Sequence, residues 1–68
     1  MIKVNSSDIY AIDYDKDTHV LTIQFRSGGI YEYSNVSEST FNQLLNAGSK
    51  GRYFHTFIKD RYPTRKIR

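Results

Sequence analysis

The chain has no cysteine and a single proline. Without cysteine, disulfide staples and cysteine–zinc sites are excluded. No apolar run approaches the roughly 20 residues that a membrane-spanning helix needs, so no membrane partner is expected. The opening Met1-Ile2-Lys3-Val4-Asn5-Ser6-Ser7 lacks an apolar stretch of secretory type. The expected setting is therefore soluble and cytoplasmic. Length is also scarce. A chain of 68 residues buries only about 60% of its unfolded surface. That argues against a multi-domain enzyme, a doubly wound nucleotide fold or a barrel. One small domain over residues 1–62 is expected, followed by a short basic tail over 63–68.

Acidic residues are almost absent from the C-terminal third. Residues 1–49 set Lys3, Lys16 and Arg26 against six carboxylates, a net of −3. Residues 50–68 set Lys50, Arg52, Lys59, Arg61, Arg65, Lys66 and Arg68 against Asp60 alone, a net of +6. A basic end on an acidic body points to a polyanion or an acidic partner.

Three segments alternate apolar and polar residues as half-buried strands do. They are Ile9–Tyr14, His19–Arg26 and Ile30–Ser34. A three-residue loop Ser27-Gly28-Gly29 would place Phe25 opposite Tyr31 and Ile23 opposite Tyr33, all on one face. A four-residue loop Asp15-Lys16-Asp17-Thr18 would place Ile12 opposite Leu21. Ile9 is out of phase with Ile12, which predicts a bulge near Tyr10–Ala11. Ser37 is a helix cap with Val36 and Phe41 as its hydrophobic staple. Phe41, Leu44, Leu45 and Gly48 follow with helical spacing, and Gly48 suits the position that ends the helix. Ser49 caps a second helix whose stripe is Phe54, Phe57, Ile58 and Tyr62, stopped by Pro63. The expected fold is α+β: a three-stranded antiparallel meander followed by two helices packed on one face.

Asp13, Asp15 and Asp17 have the spacing of a calcium loop, but Thr18 and Gln24 stand where that loop needs glycine and glutamate. A polar turn is the reading. His19 and His55 lie on different elements, so no metal site and no cofactor are expected. No serine is paired with a base and an orienting group, so no enzyme is expected. Gly48-Ser49-Lys50-Gly51 is a GxxG turn between helices, with amides facing outward at a helix start. KH domains clamp a nucleic-acid backbone with such a turn, but no strand is read after Tyr62 to complete a KH unit. Arg52, His55 and Lys59 line up on the second helix. Lys50, Arg61, Arg65, Lys66 and Arg68 extend the patch, and Tyr53 is placed to stack on a base.

The order of elements resembles the KTSC domain, a family named for its place at the C-terminus of some lysyl-tRNA synthetases. The resemblance runs from Val4 to Tyr62. It rests on Val4-Asn5-Ser6-Ser7, Ile12-Asp13-Tyr14-Asp15, Leu21-Thr22-Ile23-Gln24-Phe25, the Tyr31-Glu32-Tyr33 signature, Ala47-Gly48-Ser49-Lys50-Gly51 and Tyr53-Phe54 with Ile58 and Tyr62. His55 stands where the family often has asparagine, and Asp13 where glycine is more usual. The resemblance implies an accessory role near RNA, by association with the synthetase. It carries over no catalytic residue.

Two functions follow as expectations. The first is an RNA-backbone-binding module using Gly48, Ser49, Lys50, Gly51, Arg52, Tyr53, His55, Lys59, Arg61, Arg65, Lys66 and Arg68. The second is a protein-interaction module using the outer sheet face (Val20, Thr22, Gln24, Ile30, Glu32) or an open strand edge.

Overall fold

The computed structural model describes residues 1–68. Its elements in chain order are β1 (Ile2–Lys3), β2 (Ile9–Asp15), β3 (Val20–Phe25), β4 (Ile30–Tyr33), α1 (Glu38–Asn46), α2 (Lys50–Phe57) and β5 (Thr64–Lys66). The three expected strands form the expected meander. The sheet has five strands, not three, in the order β1-β2-β3-β4-β5, all antiparallel.

The alternation sets the faces correctly, but both turns sit one residue from where the sequence places them. Ile23 lies opposite Tyr31 and Leu21 opposite Tyr33. The three-residue loop is Arg26-Ser27-Gly28. Phe25 N–H donates to the Gly29 carbonyl at 2.8 Å, and Gly28 N–H to the Phe25 carbonyl at 2.9 Å. Gly28, at φ 106°, is the left-handed bulge residue. In the first hairpin Ile12 lies opposite Ile23. Its loop is Lys16–His19, closed by His19 N–H donating to the Asp15 carbonyl at 2.7 Å. The Asp15 carboxylate accepts the N–H of Asp17 at 2.9 Å and of Thr18 at 3.3 Å. That local turn fixes the loop, and the same bonds hold the Asp15 carboxyl below its ordinary range. Moving a loop by one residue moves each pairing by two, so every side chain keeps its face. The bulge predicted near Tyr10–Ala11 is present between Ile9 and Ala11. It lets Ile9 and Ile12 both reach full burial.

The basic tail is not a tail. Thr64, Arg65 and Lys66 pair with Tyr33, Glu32 and Tyr31. Pro63 accepts the Ser34 N–H at 3.0 Å, and the Ile30 carbonyl accepts the Ile67 N–H at 2.8 Å. The segment shows no apolar alternation because all three strand residues are exposed. Its stability comes from backbone bonds to the otherwise open edge of β4. The Pro63 position agrees with this, since proline is tolerated where an edge strand begins.

Both helices lie on one sheet face. Ser37 Oγ accepts the Thr40 N–H at 3.1 Å, and Ser49 Oγ the Arg52 N–H at 3.3 Å, so both caps act as predicted. The core comprises Ile9, Ile12, Leu21, Ile23, Tyr33, Val36, Leu44, Phe54 and Ile58. Each fully buried aliphatic side chain contributes about 1.5–3 kcal/mol before chain entropy is charged. Tyr14 stacks on Phe41 at 4.8 Å, and its hydroxyl donates to the Val36 carbonyl. Three helix details differ from expectation. Helix α1 closes through extended Ala47, whose N–H reaches the Leu44 carbonyl at 3.2 Å, and Gly48 is not left-handed. Helix α2 stops at Ile58 rather than Tyr62, because Asp60 turns the chain at φ 62° before Pro63 is reached. Phe57, assigned to the stripe, is 53% exposed. Phe54 and Ile58 fill the core, and Phe57 is left at the surface with its ring 4.8 Å from that of Tyr53.

Candidate nucleic-acid interface

The GxxG turn is built differently from an open phosphate seat. Ser49 is spent on capping α2. The Lys50 ammonium folds back to donate to the Ala47 carbonyl at 3.2 Å. Gly51 is buried, and a Cβ there would stand 3.2 Å from Asp8 Oδ2. Its missing side chain makes room for the chain's own carboxylate, which also suits the positive end of α2. Only the Gly48 side of the turn is open. A strand does follow Tyr62, so the sequence argument against a KH unit loses its ground. The packing of Gly51 against Asp8 supplies a different one.

Five of the expected basic residues fall into two groups. Arg52 lies beside Gly48, Ser49 and Thr56 in a depression of about 350 Å³. Tyr53 borders it, but its hydroxyl donates to Gln43 Oε1 at 2.9 Å. That bond ties α2 to α1. Burial, and then the nearby Tyr62, push the Tyr53 phenol up from its ordinary range. Arg61 Nε donates to the Thr56 carbonyl at 3.1 Å and so lies along α2.

The second group surrounds a cleft of about 380 Å³ between the β3–β4 turn and α2. His55 lines it from α2, Lys59 from the turn that follows α2, Ser27 from the β3–β4 turn and Thr64 from β5. Its floor is a herringbone of Phe25, Tyr31, Tyr33 and Phe54, with edge contacts of 5.3 to 5.7 Å. The Lys66 ammonium lies 6.0 Å from the Tyr31 ring centre. Burial pushes the Tyr33 phenol up to about 12. His55 Nε2 stands 4.0 Å from Asp8 Oδ2, both side chains being more than half exposed, so this pair contributes little to stability. A further depression along α1, lined by Glu38, Ser39, Asn42, Gln43 and Asn46, has no cation and no aromatic.

Charge compensation is sparse. Of the seven lysines and arginines from Lys50 onward, only Arg65 has a carboxylate within 4 Å, that of Glu32 at 3.8 Å. No three His, Asp or Glu side chains converge as a metal site would require. No helix is long and apolar enough to cross a membrane.

A family model for the KTSC domain matches residues 5–62. The chain belongs to the KTSC domain family. Its fold matches the crystal structure of a KTSC domain protein from Yersinia pestis with a TM-score of 0.94 and 44% identity, over 97% of this chain and 93% of that one. A lysine–tRNA ligase of Nostoc sp. is 45% identical over 62 residues, 91% of this chain but 11% of the ligase. The KTSC chain thus spans about a tenth of that curated relative. A protein of Tsukamurella paurometabola is 37% identical over 62 residues, 91% of this chain and 92% of its own length. The KTSC domain is a small accessory domain in the ligases and nearly the whole length of other relatives.

Sequence reasoning missed the cleft in this KTSC domain. Tyr31 and Tyr33 read as core residues, which describes Tyr33 but not the partly exposed Tyr31. Lys66 read as part of a free tail. The convergence of Lys59, Lys66 and Tyr31 depends on β5 returning beside β4, and the one local hint was Pro63 followed by β-branched Thr64.

Proposed function

We propose that this KTSC domain is a non-enzymatic module that binds a nucleic-acid backbone, RNA in the first place, as an accessory to other RNA-handling machinery. The observation that carries the reading is the uncompensated charge of residues 50–68. Six of seven cations there are free of carboxylates, and holding like charges together is costly unless an external anion is bound. The Nostoc relative named as a lysine–tRNA ligase supports RNA over other polyanions. Lys50, Arg52, Lys59, Arg61, Arg65, Lys66 and Arg68 are the proposed phosphate contacts, with Gly48 as the open side of the turn. Gly51 and Tyr53 supply structure rather than contact.

The test is fluorescence anisotropy with labelled single-stranded RNA, hairpin RNA and duplex DNA, at about 50 and 200 mM salt. Affinity for an RNA form should fall steeply between them. Seven neutralised phosphates on a single strand would give a log–log slope of about −5. Binding no better than that of a scrambled basic peptide would defeat the reading. A partner at an open strand edge is the weaker alternative. The free edges are β1 and β5, of two and three residues, and such short edges are poor templates for strand addition.

A further inference from the structure

We infer that the cleft between the β3–β4 turn and α2 seats one unstacked base of single-stranded RNA, with the adjoining phosphate held by Lys59 and Lys66. This rests on the RNA reading above and adds to it a contact that depends on the base. Three features converge. The floor is aromatic, and Phe25 and Tyr31 remain partly exposed there. Aromatic faces bind bases by stacking, with little preference among them. The rim carries the Lys59 ammonium and the His55 imidazole, and the Lys66 ammonium lies 6.0 Å from the Tyr31 ring centre. Asp60 is the one carboxylate in the lining. The Ser27 and Thr64 hydroxyls offer both donors and acceptors to a base edge. At about 380 Å³, the cleft is in the size range of small-ligand pockets. Neither other depression described above combines these features. The one along α1 lacks aromatics, and in the one beside Arg52 the Tyr53 and Phe57 rings pack on each other.

The experiment compares a 12-nucleotide oligouridine with an abasic ribose-phosphate oligomer of the same length and charge. Backbone attraction is equal for both, so the difference reads the base. The base-bearing strand should bind about tenfold tighter or better. Tyr31→Leu keeps apolar bulk but removes the ring, and it should bring oligouridine down to the abasic affinity without changing the salt slope. Ser27→Glu, on the exposed turn and away from the core, should weaken both strands by placing a carboxylate at the mouth and should erase the difference between them. Equal binding of the two strands by the unaltered protein would overturn the cleft and leave the backbone reading intact. A base preference that survives both substitutions would also overturn it. Failure to bind either strand with salt dependence would defeat the backbone reading, and the cleft with it.

Discussion

Asp8 and Gly51 share one space: the Asp8 Oδ2 atom lies 3.2 Å from where a Cβ on Gly51 would stand. Asp8 belongs to the loop before β2 and Gly51 to the first turn of α2, so this contact docks the helix start onto the sheet. The carboxylate is the exposed end of a flexible side chain, and it can yield by a few tenths of an ångström. Gly51→Ala should therefore be neutral or stabilising by less than about 1 kcal/mol, since alanine favours the helix. Gly51→Val adds branches that reach the Asp8 stem and should destabilise by about 1–3 kcal/mol. Chemical denaturation of the two variants checks the pair. Large destabilisation by alanine would show that Asp8 cannot move.

Charge reversal separates binding from folding. Arg52 and Lys59 are exposed and have no carboxylate partner. The double variant Arg52→Glu/Lys59→Glu should melt within a few degrees of the parent. Its affinity for single-stranded RNA at about 50 mM salt should fall by at least about tenfold, because two phosphate contacts become repulsions. Anisotropy and a melting curve on one preparation measure both. Unchanged affinity would remove these residues from the interface.

Residues 63–68 should behave as structure. The amide of Ile30 donates to the Arg68 carbonyl at 3.2 Å and that of Ser34 to the Pro63 carbonyl at 3.0 Å. Both amides should show hydrogen-exchange protection. Deleting 63–68 should abolish it and cost about 2 kcal/mol or more, from several ladder bonds at roughly 0.5–1.5 kcal/mol each. The bared β4 edge should also promote self-association. A truncated domain as stable as the parent, with both amides still protected, would restore the view of a free tail.

Alkaline pH should weaken the fold through Tyr33. Burial pushes its phenol in the folded state up from the ordinary value of 10.0 to about 12. The unfolded chain releases this proton first, so stability is intact below pH 10 and falls as pH rises toward 12. The expected loss is about 2–3 kcal/mol at roughly 1.4 kcal/mol per unit. Tyr33→Phe should remove that part of the slope in pH-dependent denaturation. A slope identical to the parent's would place the alkaline sensitivity elsewhere.

Much of this fold is legible in short-range pattern. Leu21, Ile23, Tyr31 and Tyr33 announce their shared face by spacing alone. Ser37 and Ser49 announce the helix starts, because capping depends on a residue and its neighbours three positions on. Turn placement was less legible. The Asp15 carboxylate and the left-handed Gly28 each shifted a loop by one residue, a choice made by local hydrogen bonds that the apolar pattern does not register. The end of α2 was misplaced for a related reason, since Asp60 reverses the chain before the visible stop signal at Pro63.

The sequence by itself determined the three central strands, the two caps, most of the core and the +6 charge of residues 50–68. Those features depend on periodicity and composition, which survive in one dimension. Only the tertiary structure decided that Thr64–Lys66 is a strand, that Gly51 makes room for Asp8 and that Lys59 and Tyr31 line one cleft, with Lys66 beside the Tyr31 ring. Each of these is a contact between distant segments. Exposed strand residues leave no apolar period, and a glycine looks the same in sequence whether it serves a ligand or a neighbouring side chain.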